Sequence, residues 1–278
     1  MITELQYGRT NTYLVKMSEG YILFDTGWAG ELDLFYRSIG KVHVRLEEIK
    51  YLLISHFHPD HMGLAGQLSD LGISVLIADI QKEFVHCADQ VFIKENNKDF
   101  VCINDTALKI ISISESRSFL HDMGIEGELL HTPGHSDDSV SLLLDEGIVL
   151  VGDLNPLYEL ELHKGSAIAD SWSLIFDRAK AVSKADQLRV YYGHARPAEK
   201  SLNAFRTTAV KDISPKRSTT NDTVSCIIKL LGKGYPVEKI IRKTGADWEF
   251  VTDVVRMCVT HPGVSVEGIL DRIEIKGR

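Results

Sequence analysis

The sequence predicts an α/β fold followed by a small all-helical C-terminal appendage. Three observations predict it. Short apolar runs of strand type alternate with helically spaced segments over residues 1–210. Several candidate ligand residues follow directly on those runs, as loops gathered at one rim of a sheet would. A polar stretch at 211–222 then separates this body from a tail, 223–278, whose patterns are helical throughout.

Taken in order, residues 10–15 and 21–25 read as two strands joined by a Ser18-Glu19-Gly20 turn. Leu32, Phe35, Tyr36 and Ile39 keep helical spacing and predict a helix over 29–39. Residues 49–54 form a strand, and Leu64, Leu68 and Leu71 place a helix over 61–71. A strand at 75–77, a helical segment at 80–98 with a polar end and a strand at 107–113 follow. Leu129-Leu130 leads into the loop that carries His135. Residues 139–144 and 148–151 form a hairpin around Asp145-Glu146-Gly147. A helix over 172–185 precedes a last strand, 188–192, which ends at Gly193-His194. After the 211–222 linker come helices at 224–231, 237–243, 248–259 and 266–273. Helix, short turn, helix is also how a helix-turn-helix begins, which would make residues 223–278 a winged-helix-like module. The second of these helices lacks a basic or amide-rich reading face, so a helical cap beside the active site is the preferred reading. Ile227, Ile228, Leu230 and Leu231 give the tail an apolar face that needs a partner, either the catalytic body or a second subunit in a homodimer.

Charge narrows the substrate. The net charge of −8 is uneven: residues 211–278 carry 12 Lys/Arg against 9 Asp/Glu, whereas residues 1–210 carry 19 against 30. A body at −11 repels a polyphosphate backbone, which disfavours nucleic acid and favours a small-molecule substrate. The first residues have neither the basic start nor the apolar core of a signal peptide, and no stretch is long and apolar enough for a membrane span. The expected location is cytoplasmic. The four cysteines, Cys87, Cys102, Cys226 and Cys258, are widely spread; they read as small, partly buried apolar residues, not as disulfides or a thiolate metal site.

The chemistry is concentrated in residues 55–63, Ser-His-Phe-His-Pro-Asp-His-Met-Gly. Three imidazoles and a carboxylate fall within six positions, all suited to a borderline divalent metal. Tyr51-Leu52-Leu53-Ile54 is a buried-strand run, so the cluster begins where a strand ends. Pro59 biases His58 towards extended backbone, which lets His56 and His58, two apart, point the same way. Past Pro59 a helix begins, turning Asp60 and His61 away from that pair. Such a split suits two adjacent ions better than one.

Four further fragments stand in order around this run: Leu23-Phe24-Asp25-Thr26-Gly27 before it, then Thr132-Pro133-Gly134-His135, Val151-Gly152-Asp153 and Tyr192-Gly193-His194. Together, from about residue 8 to about residue 200, they resemble the metallo-β-lactamase superfamily of metal-dependent hydrolases. The resemblance implies an αββα four-layer sandwich. It implies a first ion held by His56, His58 and His135, and a second held by Asp60, His61 and His194, with Asp153 bridging and Asp25 supporting the metal loop. Zinc is the expected metal at both sites, with iron or manganese as alternatives. All seven ligand positions carry the expected residue type, which argues against a degenerate, binding-only relative.

Two divalent ions sharing a water give a nucleophile at neutral pH and an electrophile for the reacting group. Asp60 and Asp153 balance the charge and can accept a proton during attack. Tyr158, five residues beyond Asp153, is a candidate oxyanion donor. The ligands do not choose between carbon and phosphorus. Departures from other branches leave compact enzymes resembling hydroxyacylglutathione hydrolases and acyl-homoserine lactonases, which act on a small ester, thioester or lactone. Phosphodiesterases or ribonucleases of the same fold, and a persulfide dioxygenase with a single iron, are the alternatives. Asp137 and Asp138 are read as hydrogen-bonding a ligand imidazole or capping a turn, and Trp28 as a candidate pocket wall. Arg196 and Lys200 are read as solvated surface, with an acidic substrate group as the competing partner.

Overall fold

The computed structural model describes residues 2–202 apart from 164 and 184, and residues 220–260 apart from 234, 245 and 247. The chain divides into two compact units, Met1–Thr208 and Ala209–Arg278.

The first unit holds two sheets. One has the order β1 (Ile2–Leu5), β2 (Thr12–Lys16), β3 (Tyr21–Phe24), β4 (Ile49–Leu53), β5 (Ser74–Ala78), β6 (Leu108–Ile111). Its first three strands are antiparallel neighbours, and β3 to β6 run parallel. The other sheet runs β11 (Ala198–Ser201), β10 (Gln187–Tyr191), β9 (Ile148–Leu150), β8 (Val140–Leu144), β7 (Gly127–His131). Within it β9 and β10 are parallel and the remaining pairs antiparallel.

Side-chain alternation assigns each face of these sheets. Tyr13, Val15, Phe24, Leu53 and Leu76 meet Leu129, Leu142, Leu144 and Leu150 in the cluster between the sheets. The opposite face of the first sheet, through Leu14, Leu23, Leu52 and Val75, packs on Phe35 and Ile39 of α1 (Leu32–Lys41) and Leu68 of α3 (Ala65–Asp70). The outer face of the second, through Leu143, Val149, Leu188 and Val190, covers Trp172, Ile175 and Phe176 of α6 (Ala167–Val182). Helix, sheet, sheet, helix is the resulting order of layers, as the resemblance implies. Near-continuous apolar strands such as β8, buried at every position, are what a sheet covered on both faces requires.

Several boundaries depart from the sequence reading. The helix at 61–71 is two pieces, α2 (Pro59–Met62) and α3. The segment 80–98 is a 3-10 turn, Asp79–Phe84, followed by a short α4 (Asp89–Lys94). Edge strands β1 and β11 and the helix α5 (Ser116–Asp122) went unread. Cys87, Cys102 and Cys226 are exposed, not partly buried. For Cys226 the reason is phase: Val224 and Ile227 take the buried stripe of its helix.

The second unit contains α7 (Thr220–Gly232), α8 (Val237–Thr244) and α9 (Trp248–Thr260), packed on one another through Val224, Ile227, Ile240, Val251 and Val254. Helix α7 begins inside the stretch read as linker; the rest of that linker and the helix at 266–273 lie outside the described residues. Among the described residues no helix is long and apolar enough to cross a membrane.

Candidate metal centre

Strand ends bring the site together. β3 runs into Asp25, β4 into Ser55 and His56, β7 into the loop bearing His135, β9 into Asp153 and β10 into His194. Main-chain bonds tie these ends to each other: Asp25 N to Leu53 O at 3.0 Å, Val140 N to Ser55 O at 2.8 Å, Gly193 N to Gly152 O at 2.7 Å. His58 has φ −81° and ψ 152°, and Pro59 occupies the first turn of α2, where its missing N–H costs nothing. Two glycines permit the close approach. A Cβ on Gly193 would lie 2.5 Å from Asp153 Oδ1 and 2.7 Å from His61 Cε1. Gly152, at φ +56°, would put one 2.4 Å from Ser55 Oγ.

Buried Asp25 organises the imidazoles. Its φ of 60° is left-handed, a region that a short polar side chain tolerates. The carboxylate accepts from Ser55 N at 2.7 Å, Ser55 Oγ at 2.9 Å and His61 Nδ1 at 2.8 Å. With Nδ1 donating, His61 turns the lone pair of Nε2 into the cluster. Ser55 Oγ, whose hydrogen goes to Asp25, accepts from His56 Nδ1 at 3.0 Å and leaves His56 Nε2 in the same role. His194 Nδ1 donates to Arg9 O at 3.2 Å, so its Nε2 also faces inward.

The inward atoms converge. His56 Nε2 and His135 Nε2 each lie 2.9 Å from His58 Nδ1. One ring nitrogen cannot serve two such neighbours as a hydrogen-bond partner, whereas three lone pairs suit one cation. Beside them, His194 Nε2 is 2.9 Å from Asp60 Oδ2, and His61 Nε2 is 3.7 Å from it. Asp153 lies between the two groups: Oδ1 is 3.2 Å from His61 Nε2, while Oδ2 is 3.5 Å from His135 Nε2 and 3.4 Å from His194 Nε2. The donors form three overlapping groups, His56/His58/His135, His56/His61/Asp153 and Asp60/His61/His194, each within 4.8 Å. His61 Nε2 and Asp153 Oδ1 are buried without a hydrogen-bond partner, a desolvation cost that coordination to a cation would offset. The donor set therefore fits divalent metal.

Electrostatics agree with that fit. Burial and the neighbouring imidazoles hold His56 well below the usual histidine value, so it is neutral and its lone pair is available. Burial disfavours charge on Asp60, yet the His194 hydrogen bond and the His61 ring hold it down to about 2. Asp153 is likewise held well below the carboxylate range, with His61 and His194 outweighing its burial. Hydrogen bonds to Asp153 and Asp60 raise His194 to about 10. Burial opposes charge on His61, but Asp25 and Asp153 outweigh it and raise that ring well above its ordinary value. A divalent ion among these atoms would displace those protons and take over the balancing of Asp60 and Asp153.

Other candidate residues settle differently. Asp138 is buried and accepts from Phe57 N at 2.7 Å, fixing the metal loop's main chain. The carbonyl of Asp137 accepts from His131 Nε2 at 2.7 Å. Trp28 packs edge-on against Phe92, with ring centroids 5.1 Å apart, in the flank of the core. Tyr158 is 80% exposed and lines a cavity of about 560 Å³ that His194, Arg196 and Lys200 also line. Sequence reasoning missed Gln81. Fully buried, it donates through Nε2 to the carbonyls of Ile54, Ser55 and Asp138 at 3.0, 3.2 and 3.1 Å. A polar residue inside a stretch read as one helix gave no signal of that role.

Comparison with known proteins follows from this geometry. Residues 6–194 match the family model described as the metallo-beta-lactamase superfamily. A beta-lactamase-like protein 2 homolog of Drosophila melanogaster is 26% identical over 197 residues, 69% of this chain and 61% of the relative. The chain thus spans less than two thirds of the length of the first curated relatives it matches, the next being covered to 38%. Among solved structures, a metallo-beta-lactamase family protein from Thermus thermophilus is similar with a TM-score of 0.54 at 17% identity, covering 99% of this chain and 94% of that one. A protein solved in a di-iron-bound form gives 0.51 at 22% identity, covering 73% and 95%. At these identities both speak for the fold.

Proposed function

The chain belongs to the metallo-beta-lactamase superfamily, and from that premise we propose that it is a metal-dependent hydrolase of a small ester, thioester or lactone. The observation that carries the reading is Asp153, whose two carboxylate oxygens reach His61 on one side and His135 and His194 on the other. A single tetrahedral ion needs four ligands, and seven donors stand here. We assign His56, His58 and His135 to one ion, Asp60, His61 and His194 to a second, and the bridge to Asp153. Zinc is the expected metal, with iron or manganese able to occupy the same donors.

When bound, the two ions supply Lewis acidity for the reacting group and bring the pKa of a water near neutrality. The chain's own residues do the rest. Asp25 and Ser55 hold the rings of His61 and His56 in place. Asp60 and Asp153 stay ionised and are positioned to accept a proton as the bond is attacked. Tyr158, on the wall of the cavity that His194 also lines, is the assigned oxyanion donor. Charge and size support a carbonyl electrophile: the acidic body disfavours a polyphosphate chain, and a cavity of about 560 Å³ has the size of a small-molecule site.

Elemental analysis and one assay panel test this reading. Purified full-length protein is expected to hold two metal ions per chain and to hydrolyse a lactone or thioester. One tightly held iron per chain would instead favour a persulfide dioxygenase. Turnover confined to a phosphodiester or a short RNA, and abolished by His56→Ala, would replace the carbonyl substrate with a phosphoryl one and leave the metal assignment standing.

A further inference from the structure

The cavity beside the metal centre is unusual in its charge. The His194 ring that meets Asp60 and Asp153 on one side lines the cavity as well. Three other charged side chains line it: Arg196, Glu199 and Lys200. Glu199 is already paired with Arg189 at 2.8 Å. Among the described residues neither Arg196 nor Lys200 makes an ion pair. Two unbalanced cations therefore stand in a cavity of a body whose overall charge is strongly negative. The rest of the wall is apolar or aromatic, with Pro156, Leu157, Tyr158, Tyr192, Ala195 and Ala198 lining it.

The wall is also well anchored. Asn11 Nδ2 donates to the carbonyls of Tyr192 and Ala195, both at 3.0 Å, and Tyr13 OH donates to that of Tyr192 at 2.7 Å. Trp172 Nε1 donates to Asn155 O at 2.9 Å, and Leu157 N to Tyr192 OH at 3.4 Å. Lys200 is set on β11 opposite Leu188 of β10, in a fixed register. These bonds fix the main chain that carries Arg196 and Lys200, whose own side chains are exposed and open to a partner.

We propose that this cavity is the substrate's anion subsite, in which Arg196 and Lys200 bind a carboxylate or phosphate borne by the substrate while Pro156 and Leu157 take its apolar part. The inference rests on the hydrolase reading for the word substrate, and it narrows that reading to molecules carrying an anionic group away from the scissile bond. A planar guanidinium recognises either oxyanion through paired N–H donors, and the ammonium adds a point charge. The acidic surroundings screen out long polyanions, so a single anionic group is what the cavity selects.

Calorimetry on the metal-loaded full chain tests it without requiring turnover. The probes are 4-phenylbutyrate, phenyl phosphate and the uncharged 4-phenylbutyramide. At least one of the two anions is expected to bind tenfold or more tightly than the amide, and their ranking names the preferred group. The double variant Arg196→Gln/Lys200→Gln, with metal content and melting temperature as in the parent, is expected to lose that preference. A preference that persists in the double variant would place the anion on the metal ions and overturn the proposal, as would equal binding of all three probes by the parent. In a parallel arm, a thioester bearing a free carboxylate and its methyl-ester analogue are compared as substrates. The double variant should raise KM about tenfold for the first only. If the parent hydrolyses neither, the hydrolase reading falls, and the calorimetry still decides the subsite.

Discussion

Replacing Gln81 by Met tests whether the two halves of the metal centre are held together by one buried amide. Gln81 Oε1 accepts from Ala78 N at 3.1 Å, and Nε2 serves the carbonyls of Ile54, Ser55 and Asp138. Ser55 precedes His56 on one loop, and Asp138 follows His135 on the other. Met has nearly the same length and no hydrogen-bonding hydrogen, so volume is kept and the bonds are lost. Ser55 O retains Val140 N at 2.8 Å. Ala78 N is the group left buried without a partner, at a cost of about 1–3 kcal/mol, and the two weakened carbonyls bring the total to roughly 2–4 kcal/mol. In a unit of this size 1 kcal/mol shifts Tm by about 2–4 °C, so a fall of roughly 4–16 °C is expected. Loosened loops should also lower metal affinity by about tenfold, the usual lower bound for residues that orient ligands. Thermal denaturation and competition with a chromophoric chelator measure the two effects. A Tm within about 2 °C of the parent would refute the reasoning, because it would mean that each loop holds its own shape.

Three further outcomes follow from the same geometry. Asp153→Ala is expected to retain the fold but bind one ion where we propose two for the parent, with hydrolysis falling at least a hundredfold; a fully loaded, active variant would remove Asp153 from the proposed bridge. Gly193→Ala places a methyl group 2.5 Å from Asp153 Oδ1 and 2.7 Å from His61 Cε1, and since Asp25 pins the His61 ring, affinity for the second ion should drop about tenfold in metal titrations. Outside the candidate donor set, hydrogen bonds to Asp105 and Asp89, each at 2.9 Å, raise His86 above its ordinary 6.5. A raised folded value means that this contribution to stability is complete below 6.5 and is lost as pH climbs through the folded midpoint; NMR titration should show that midpoint above 6.5 and Asp105→Asn should lower it.

The grouping of the candidate donors was legible in the sequence because chemistry and local geometry coincide there. His56, His58, Asp60 and His61 are neighbours, and Pro59 alone explains why His58 is extended and why α2 starts where it does. His135, Asp153 and His194 were legible through the fragments around them and the strands before them. Interior strands such as β4 and β8 announce themselves by apolar runs, whereas β11 reads Ala-Glu-Lys-Ser and has no such mark. Its pairing comes from β10, through partners that local pattern does not reveal. Helix α6 starts at Ala167, five residues before Trp172, and its buried Ile168 stands one turn before Trp172, so this start carried a local mark that went unread.

What stayed hidden is the support of the site, and the reason is physical. Asp25 could be read, since a carboxylate at a strand end is a distinctive side chain. Gln81, Asn11 and Arg9 could not, because what they contact or offer is main chain: Gln81 reaches three carbonyls 26, 27 and 57 residues away, Asn11 reaches two more than 180 residues away, and Arg9 supplies its own carbonyl to His194. Every residue carries a carbonyl, so no residue type marks the ones that will be used. The tautomer of His194 thus depends on a carbonyl that any amino acid at position 9 would supply, whereas the position of that carbonyl depends on Asn11, whose own N–H donates to Gly193 O at 2.7 Å. Substitution at Arg9 should therefore leave the centre intact, while Asn11→Ala, which removes two side-chain bonds to the turn bearing His194, should disturb it.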